Sequence, residues 1–205
     1  LIQSVTNRPN ISVYGGAQLQ DVGGYIGNYE VTLRRDSGET VQENVGCIVV
    51  ATGAVPLVPE GLYEYDGKKV ITQMELEKRL KEGPVETKGV VMIQCVGARS
   101  PERPYCSRIC CQTAVKNARL LKEQNPDAHV HILYRDMQMY GTENEQMLWD
   151  SRGEGVRYDV FSAEQPPSVE EGKVRFYRSL TGETVEIPCD LVVLSTPLIA
   201  REDAP

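Results

Sequence analysis

The chain has 205 residues, a formal net charge of −7 and six cysteines. That length can bury a full core in one large domain or two small ones, and the acidic balance argues against nucleic acid or anionic membranes as partners. No apolar run approaches the ~18 residues of a membrane span, and no basic-then-apolar leader opens the chain.

Residues 1–35 read as the tail of a helix followed by a β-meander. The meander is expected to hold a short strand at Ile11-Ser12-Val13 and alternating stretches at Gln18–Val22 and Tyr29–Leu33, with turns at Gly23-Gly24 and Gly27-Asn28. An apolar strand is expected from Cys47, closing on Ala51-Thr52-Gly53-Ala54, small residues that let backbone approach a cofactor. Residues 56–88 read as a connector with one short surface helix. Thr72-Gln73-Met74-Glu75 has the spacing of a capping box and Gly83-Pro84 supplies the stop.

The stretch from Gly89 to Glu123 organises the rest. Val90-Val91-Met92-Ile93 reads as a buried strand, a loop follows, and a helix carries Ala114, Val115, Ala118 and Leu121 on one face. Strand, loop and helix open a dinucleotide-type βαβ unit, whose turn normally cradles pyrophosphate on glycines. Here only Gly97 remains, and four cysteines crowd the loop as C-x10-C-x3-C-C: Cys95, Cys106, Cys110 and Cys111. A helix N-terminus suits any anion, and a cubane cluster held by four thiolates is one. The spacing therefore points to an iron–sulfur site in place of a phosphate site. Cys110 and Cys111 can serve one cluster only at the helix's first turn, since neighbouring helical residues diverge by about 100°.

Beyond the helix, Val130–Tyr134 is the second strand. Asp136 after it stands where a nicotinamide domain would contact ribose, a place more often filled by ordinary loop polarity. His129 and His131 read as structural or solvent-facing. Thr142-Glu143-Asn144-Glu145 repeats the capping-box spacing and opens a helix ended by Gly153 and Gly155. A strand over Val156–Phe161 and a hairpin of Lys173–Tyr177 with Thr184–Ile187 follow, and a buried strand runs from Cys189 to Thr196. Cys47 and Cys189 read as core thiols.

Two other uses of the cysteine loop stay open on residues alone. A pyridine-nucleotide disulfide oxidoreductase would bind NAD(P)H and use a cysteine pair, and a zinc-stabilised module would have no catalysis. The missing glycines weigh against the first, and the vicinal pair against the second. No hydrolase or NTPase motif is present.

The residues CVGARSPERPYCSRICC, a helix and then HILYRDMQMYG closely resemble the flavin-bearing A-type subunits of heterodisulfide reductases, and the likeness extends from NYEVTLRR through CIVVATGA to DLVVLSTP. That family is similar to thioredoxin reductases, with a nucleotide-type domain inserted into an FAD domain. The resemblance implies an α/β fold: a Rossmann-like inserted domain with a parallel sheet at 89–196, a partial FAD-binding domain with its meander at 1–55, the connector at 56–88, and a return toward the FAD domain at 197–205. It implies a [4Fe-4S] cluster on Cys95, Cys106, Cys110 and Cys111, and FAD against Ala51, Thr52, Gly53 and Ala54, with most flavin contacts outside this stretch. Electrons would pass between FAD and the cluster, and then to or from other iron–sulfur subunits of a cytoplasmic complex acting on disulfides or sulfur compounds; a homodimer stays open. No catalytic residue is assigned.

Two departures stand out. Arg35 passes through Asp36-Ser37-Gly38 directly to the next strand, without the ferredoxin-like insertion that many members carry, and the flavin G-x-G-x-x-G fingerprint is absent. The chain reads as the central portion of a longer one, inactive without the rest.

Overall fold

The computed structural model describes residues 2–201 and forms two units, Leu1–Thr52 and Gly53–Pro205. The first unit holds α1 (Ile2–Thr6), β1 (Ala17–Tyr25), β2 (Asn28–Arg35) and β3 (Thr40–Val45). The three strands form an antiparallel meander in chain order. Gly27, at φ +91°, makes the β1–β2 turn. Gly23 and Gly24 make no turn: they lie inside β1, paired with Glu30 and Tyr29. Ile11–Val13 forms no strand either.

The segment Cys47–Gly53 is not the strand expected from its composition. A strand needs a neighbour for its N–H and C=O groups, and none of the described strands lies against this segment. Its apolar side chains stand out from the protein, Val49 being 83% and Val50 70% exposed. Cys47 is exposed too, so it is no core thiol.

The second unit has a buried frame. In chain order it runs β4 (Ala54–Pro56), β5 (Val70–Thr72), α2 (Gln73–Glu82), β6 (Gly89–Ile93), α3 (Cys110–Gln124), β7 (His129–Tyr134), α4 (Thr142–Gly153) and β8 (Arg157–Val160). It continues with β9 (Ser168–Glu170), β10 (Lys173–Arg178), β11 (Glu183–Pro188), β12 (Leu191–Leu194) and β13 (Leu198–Ala200). A five-stranded sheet, β5-β12-β6-β7-β8, is parallel throughout. The segment read as a connector thus supplies the sheet's edge strand and, with Leu76 and Leu80, part of the core.

Why β6 is a continuous apolar run follows from the layering. Val90 and Met92 pack with α2 and α3 through Leu76, Ala114, Val115, Ala118 and Leu121. Val91 and Ile93 pack on the opposite face with Val174 and Phe176 of the antiparallel sheet β11-β10-β9. Both faces of a parallel sheet are covered, so no position on β6 can be polar. The hairpin β10–β11 occurs as expected, and β9 adds an edge. Cys189 is buried beside Val192, as a core thiol should be.

Helix starts differ from one another. At α2 the capping box forms: Thr72 Oγ1 accepts from Glu75 N, and Glu75 Oε2 accepts from Thr72 N at 2.7 Å. At α4 it does not, because Gly141 at φ +89° takes the N-cap position and Thr142 becomes the first helical residue. Entry and exit of the second unit pair with each other, Ala54 opposite Ala200 and Pro56 opposite Leu198. Residues 202–205 of the expected return segment lie outside the described residues.

Candidate cluster site

The site lies beyond the carboxyl ends of three parallel strands, where open α/β sheets place their ligands. Gln94 leaves β6 with its N–H on Leu133 O at 2.9 Å, and Val96 donates to Ser195 O at 3.1 Å. From there the chain turns sharply. Cys95 (φ +62°), Arg99 (φ +53°) and Arg108 (φ +62°) all adopt left-handed backbone, a conformation costing on the order of 1–2 kcal/mol for a side-chain-bearing residue. Such residues concentrate at functional sites, held by the surrounding structure. Here Arg135 Nη1 holds Arg99 O at 3.1 Å, Tyr105 OH holds Leu198 O at 3.2 Å, and Leu198 N holds Ser107 Oγ at 2.9 Å. Gly97 suits the turn: its φ is +73°, a conformation that strains a residue with a Cβ, and a Cβ there would come within 2.5 Å of Leu57 Cδ2, which would have to move.

The loop ends at α3, whose first two residues are Cys110 and Cys111. The vicinal pair therefore stands in the first turn, where the spacing argument needs it. Cys95, Cys106, Cys110 and Cys111 line one hollow together with Gln94, Arg99 and Asp136. Arg108 N donates to Cys106 Sγ at 3.3 Å, and Cys110 Sγ donates to Thr196 O at 3.3 Å. All six cysteines are free thiols. Burial pushes the Cys110 thiol up to about 12 and Cys111 up to about 11, and the neighbouring cysteines push in the same direction. Burial raises Cys95 as well, against the pull of Arg99 and Arg135.

The donor set fits an iron–sulfur cluster. Four sulfurs face one hollow, and the start of α3, whose Cys110 and Cys111 N–H groups open the helix, favours an anion there. Among the described residues no three His, Cys, Asp or Glu side chains close on the position of a single ion.

Several groups at this hollow were not visible in the sequence. Gln94 is 1% exposed, and neither Nε2 nor Oε1 has a hydrogen-bond partner. Asp136 is engaged by Arg99, whose Nη2 lies 2.7 Å from Oδ2, which takes it away from a ribose role. Elsewhere, His131 is buried against Asp159, and Arg178 binds that carboxylate through two nitrogens at 2.7 and 2.8 Å. The expected flavin-facing residues Ala51, Thr52, Gly53 and Ala54 are exposed, and Gly53 takes φ +78° with open space beside it.

By fold this is a Rossmann-type α/β protein. It is similar to the FAD-bound cadaverine monooxygenase DfoA of Erwinia amylovora, with a TM-score of 0.51, 9% identity, and coverage of 92% of this chain and 54% of that one. No family model matches the chain. In sequence it is similar to the first iron–sulfur A-type subunit of the CoB–CoM heterodisulfide reductase of Methanopyrus kandleri, 36% identical over 189 residues, covering 80% of this chain and 28% of that protein. It is also similar to the corresponding iron–sulfur A-type subunit of the CoB–CoM heterodisulfide reductase of Methanocaldococcus jannaschii, 29% identical over 299 residues, covering 98% of this chain and 45% of that protein.

The chain belongs to the family of heterodisulfide reductase A-type subunits, and it spans 28% and 45% of the length of these two relatives. The 299-residue match exceeds the chain's own 205 residues, so the second relative carries a long stretch that this chain lacks. No described helix is long and apolar enough to cross a membrane.

Proposed function

We propose that the chain is an electron-transfer part of a flavin and iron–sulfur oxidoreductase. In this reading Cys95, Cys106, Cys110 and Cys111 hold a [4Fe-4S] cluster, and the backbone at Ala51, Thr52, Gly53 and Ala54 borders FAD. The observation that carries it is the convergence of all four loop cysteines on one hollow at the start of α3. When bound, the cluster supplies one-electron chemistry that no side chain provides.

The residues themselves do three things. The four thiols, once deprotonated, are the ligands. Left-handed backbone at Cys95 and Arg108 turns the loop so that sulfurs separated by up to fifteen residues face one space. The start of α3 offsets the negative charge gathered there. The pairing of β4 with β13 brings the chain's entry and exit together, as an insertion into a second domain requires, and supports reading residues 56–88 and 89–196 as an inserted unit between flavin-domain segments at 1–55 and 197–205.

Both relatives are, by name, iron–sulfur subunits of heterodisulfide reductases. We carry this over as a role in a complex with other iron–sulfur subunits, acting on disulfide or sulfur compounds in the cytoplasm. The rival reading, an NAD(P)H-dependent disulfide oxidoreductase with a cysteine pair, needs an activated thiolate. Thiols pushed up to about 12 and about 11 at Cys110 and Cys111 are the opposite of that.

The test is iron and sulfide content after anaerobic reconstitution, with EPR on the dithionite-reduced protein and on Cys110→Ser. About four irons and four sulfides per chain, with a signal weakened by the substitution, are expected. One zinc per chain, or no metal under strict anaerobiosis, would sink the reading.

A further inference from the structure

The hollow that holds the four cysteines contains one more group in search of a partner. Gln94 is the residue immediately after β6, and its backbone is fixed by the bond to Leu133 O at 2.9 Å. Its side chain is 1% exposed, lines the same hollow as the cysteines, and leaves both Nε2 and Oε1 without a hydrogen bond. A buried amide in that state carries the full desolvation penalty of its unpaired polar atoms. The contrast with the neighbouring buried amides sharpens the point. Gln73 Nε2 reaches Ser195 Oγ at 3.1 Å, and Asn117 Nδ2 reaches Gln73 Oε1 at 2.9 Å, leaving Asn117 with an unpartnered Oδ1 only, whereas Gln94 lacks a partner at both ends. Apolar residues of equal length would fill the Gln94 position without that penalty, as Met92 does two residues earlier on β6.

We infer that the Gln94 carboxamide is a positioning and tuning residue for the cluster, its Nε2–H donating to a sulfur of the bound group. This rests on the cluster reading above. A four-thiolate cluster offers sulfur acceptors on the wall that Gln94 lines, and an N–H on such a sulfur stabilises the more negative, reduced state. Gln94 therefore sets the potential upward. The acceptor end, Oε1, gains nothing from this arrangement.

The experiment compares the full chain with Gln94→Met and Gln94→Leu, each reconstituted anaerobically. Iron content is read first, then the midpoint potential by EPR-monitored titration, then exchangeable-proton couplings to the reduced cluster after transfer to deuterated water. Wild type and variants are expected to hold equal iron. The variants should show about a tenfold lower reduced-to-oxidised ratio at fixed potential, about 59 mV for one electron, and should lose one exchangeable-proton coupling. Their iron-free forms should be no less stable than wild type, since an orphaned amide has gone; a merely structural glutamine would give the reverse.

Equal iron with coincident potentials would overturn the role of Gln94 and leave the cluster standing. No iron in any of the proteins would overturn both. Should the variants shed iron, the wild-type spectrum decides: no exchangeable proton beside the cluster overturns the inference.

Discussion

Arg99 and Asp136 form a 2.7 Å ion pair that ties the loop after β6 to the loop after β7. Arg99 also faces the Cys95 sulfur, so one guanidinium both braces the hollow and sits beside a proposed ligand. The pair is partly exposed, and its direct contribution to stability stays within about 1 kcal/mol. Its effect should show in metal retention instead. In Arg99→Ala, chelator-driven iron loss is expected to be several-fold faster than in wild type. Asp136→Asn should have a smaller effect, because the guanidinium stays beside Cys95. Equal loss rates in all three proteins would remove Arg99 from the site.

The two Thr-x-x-Glu stretches should respond differently to the same change. Thr72 completes a capping box, and its hydroxyl also contacts Glu75 Oε2 at 2.9 Å. Hydrogen bonds from Thr72 offset burial and hold the Glu75 carboxyl below its ordinary range. Thr72→Ala is expected to destabilise by about 1 kcal/mol, read from the urea midpoint. Thr142 caps nothing, and Thr142→Ala should stay within about 0.5 kcal/mol of wild type. A larger effect at Thr142 would mean that Gly141 does not serve as the N-cap.

Those two helices also show how far the sequence could be read. The β6–loop–α3 unit was legible because all its signals are local: an apolar run, four cysteines within seventeen residues, and a helical face. The hairpin β10–β11 was legible for the same reason. What stayed hidden depends on distant pairing. Val70–Thr72 joins the sheet only through β12, more than a hundred residues later. Asp159 reaches His131 only because β7 and β8 lie side by side in parallel. Cys47–Gly53 failed as a strand for the complementary reason: its composition is right, but no described strand flanks it.

The His131–Asp159–Arg178 cluster gives stability an acid dependence. Burial lowers His131 below its ordinary 6.5, outweighing the hydrogen bond with Asp159 that works the other way. The charged partners facing it are Asp159 and, from β8 and β10, Arg157 and Arg178; both arginines disfavour a second positive charge. Arg178 and His131 in turn outweigh burial to hold Asp159 low. A histidine lowered in the folded state binds its proton more readily when unfolded, so stability falls as pH drops through about 6.5. Asp159 adds a second loss at lower pH, through the ordinary carboxylate range. The urea midpoint should therefore be flat above pH 7 and decline below it. In His131→Gln the first decline should vanish and the carboxylate one persist. A His131→Gln profile that superimposes on wild type after a constant offset would place the titration elsewhere.

In the metal-free cysteine loop Cys110 and Cys111 should be chemically quiet, whereas Cys106 stands exposed. With Cys110 pushed up to about 12 by burial and by its sulfur neighbours, the thiolate fraction at pH 7 is on the order of one in 10⁵. Cys111, up to about 11, is similarly protonated. Alkylation of the iron-free protein by iodoacetamide should therefore label the exposed Cys47 and Cys106 first, with Cys110 and Cys111 far behind, as mass spectrometry of the digested chain would show. Raising the pH from 7 to 9 should accelerate the two slow sites about a hundredfold, because each unit raises the thiolate fraction tenfold. Cluster assembly must strip the same protons, so its rate and extent should climb with pH over that interval. Rapid labelling of Cys110 or Cys111 at neutral pH would instead reveal an activated thiolate. It would shift the balance toward the disulfide oxidoreductase reading, in which that thiol attacks a disulfide directly.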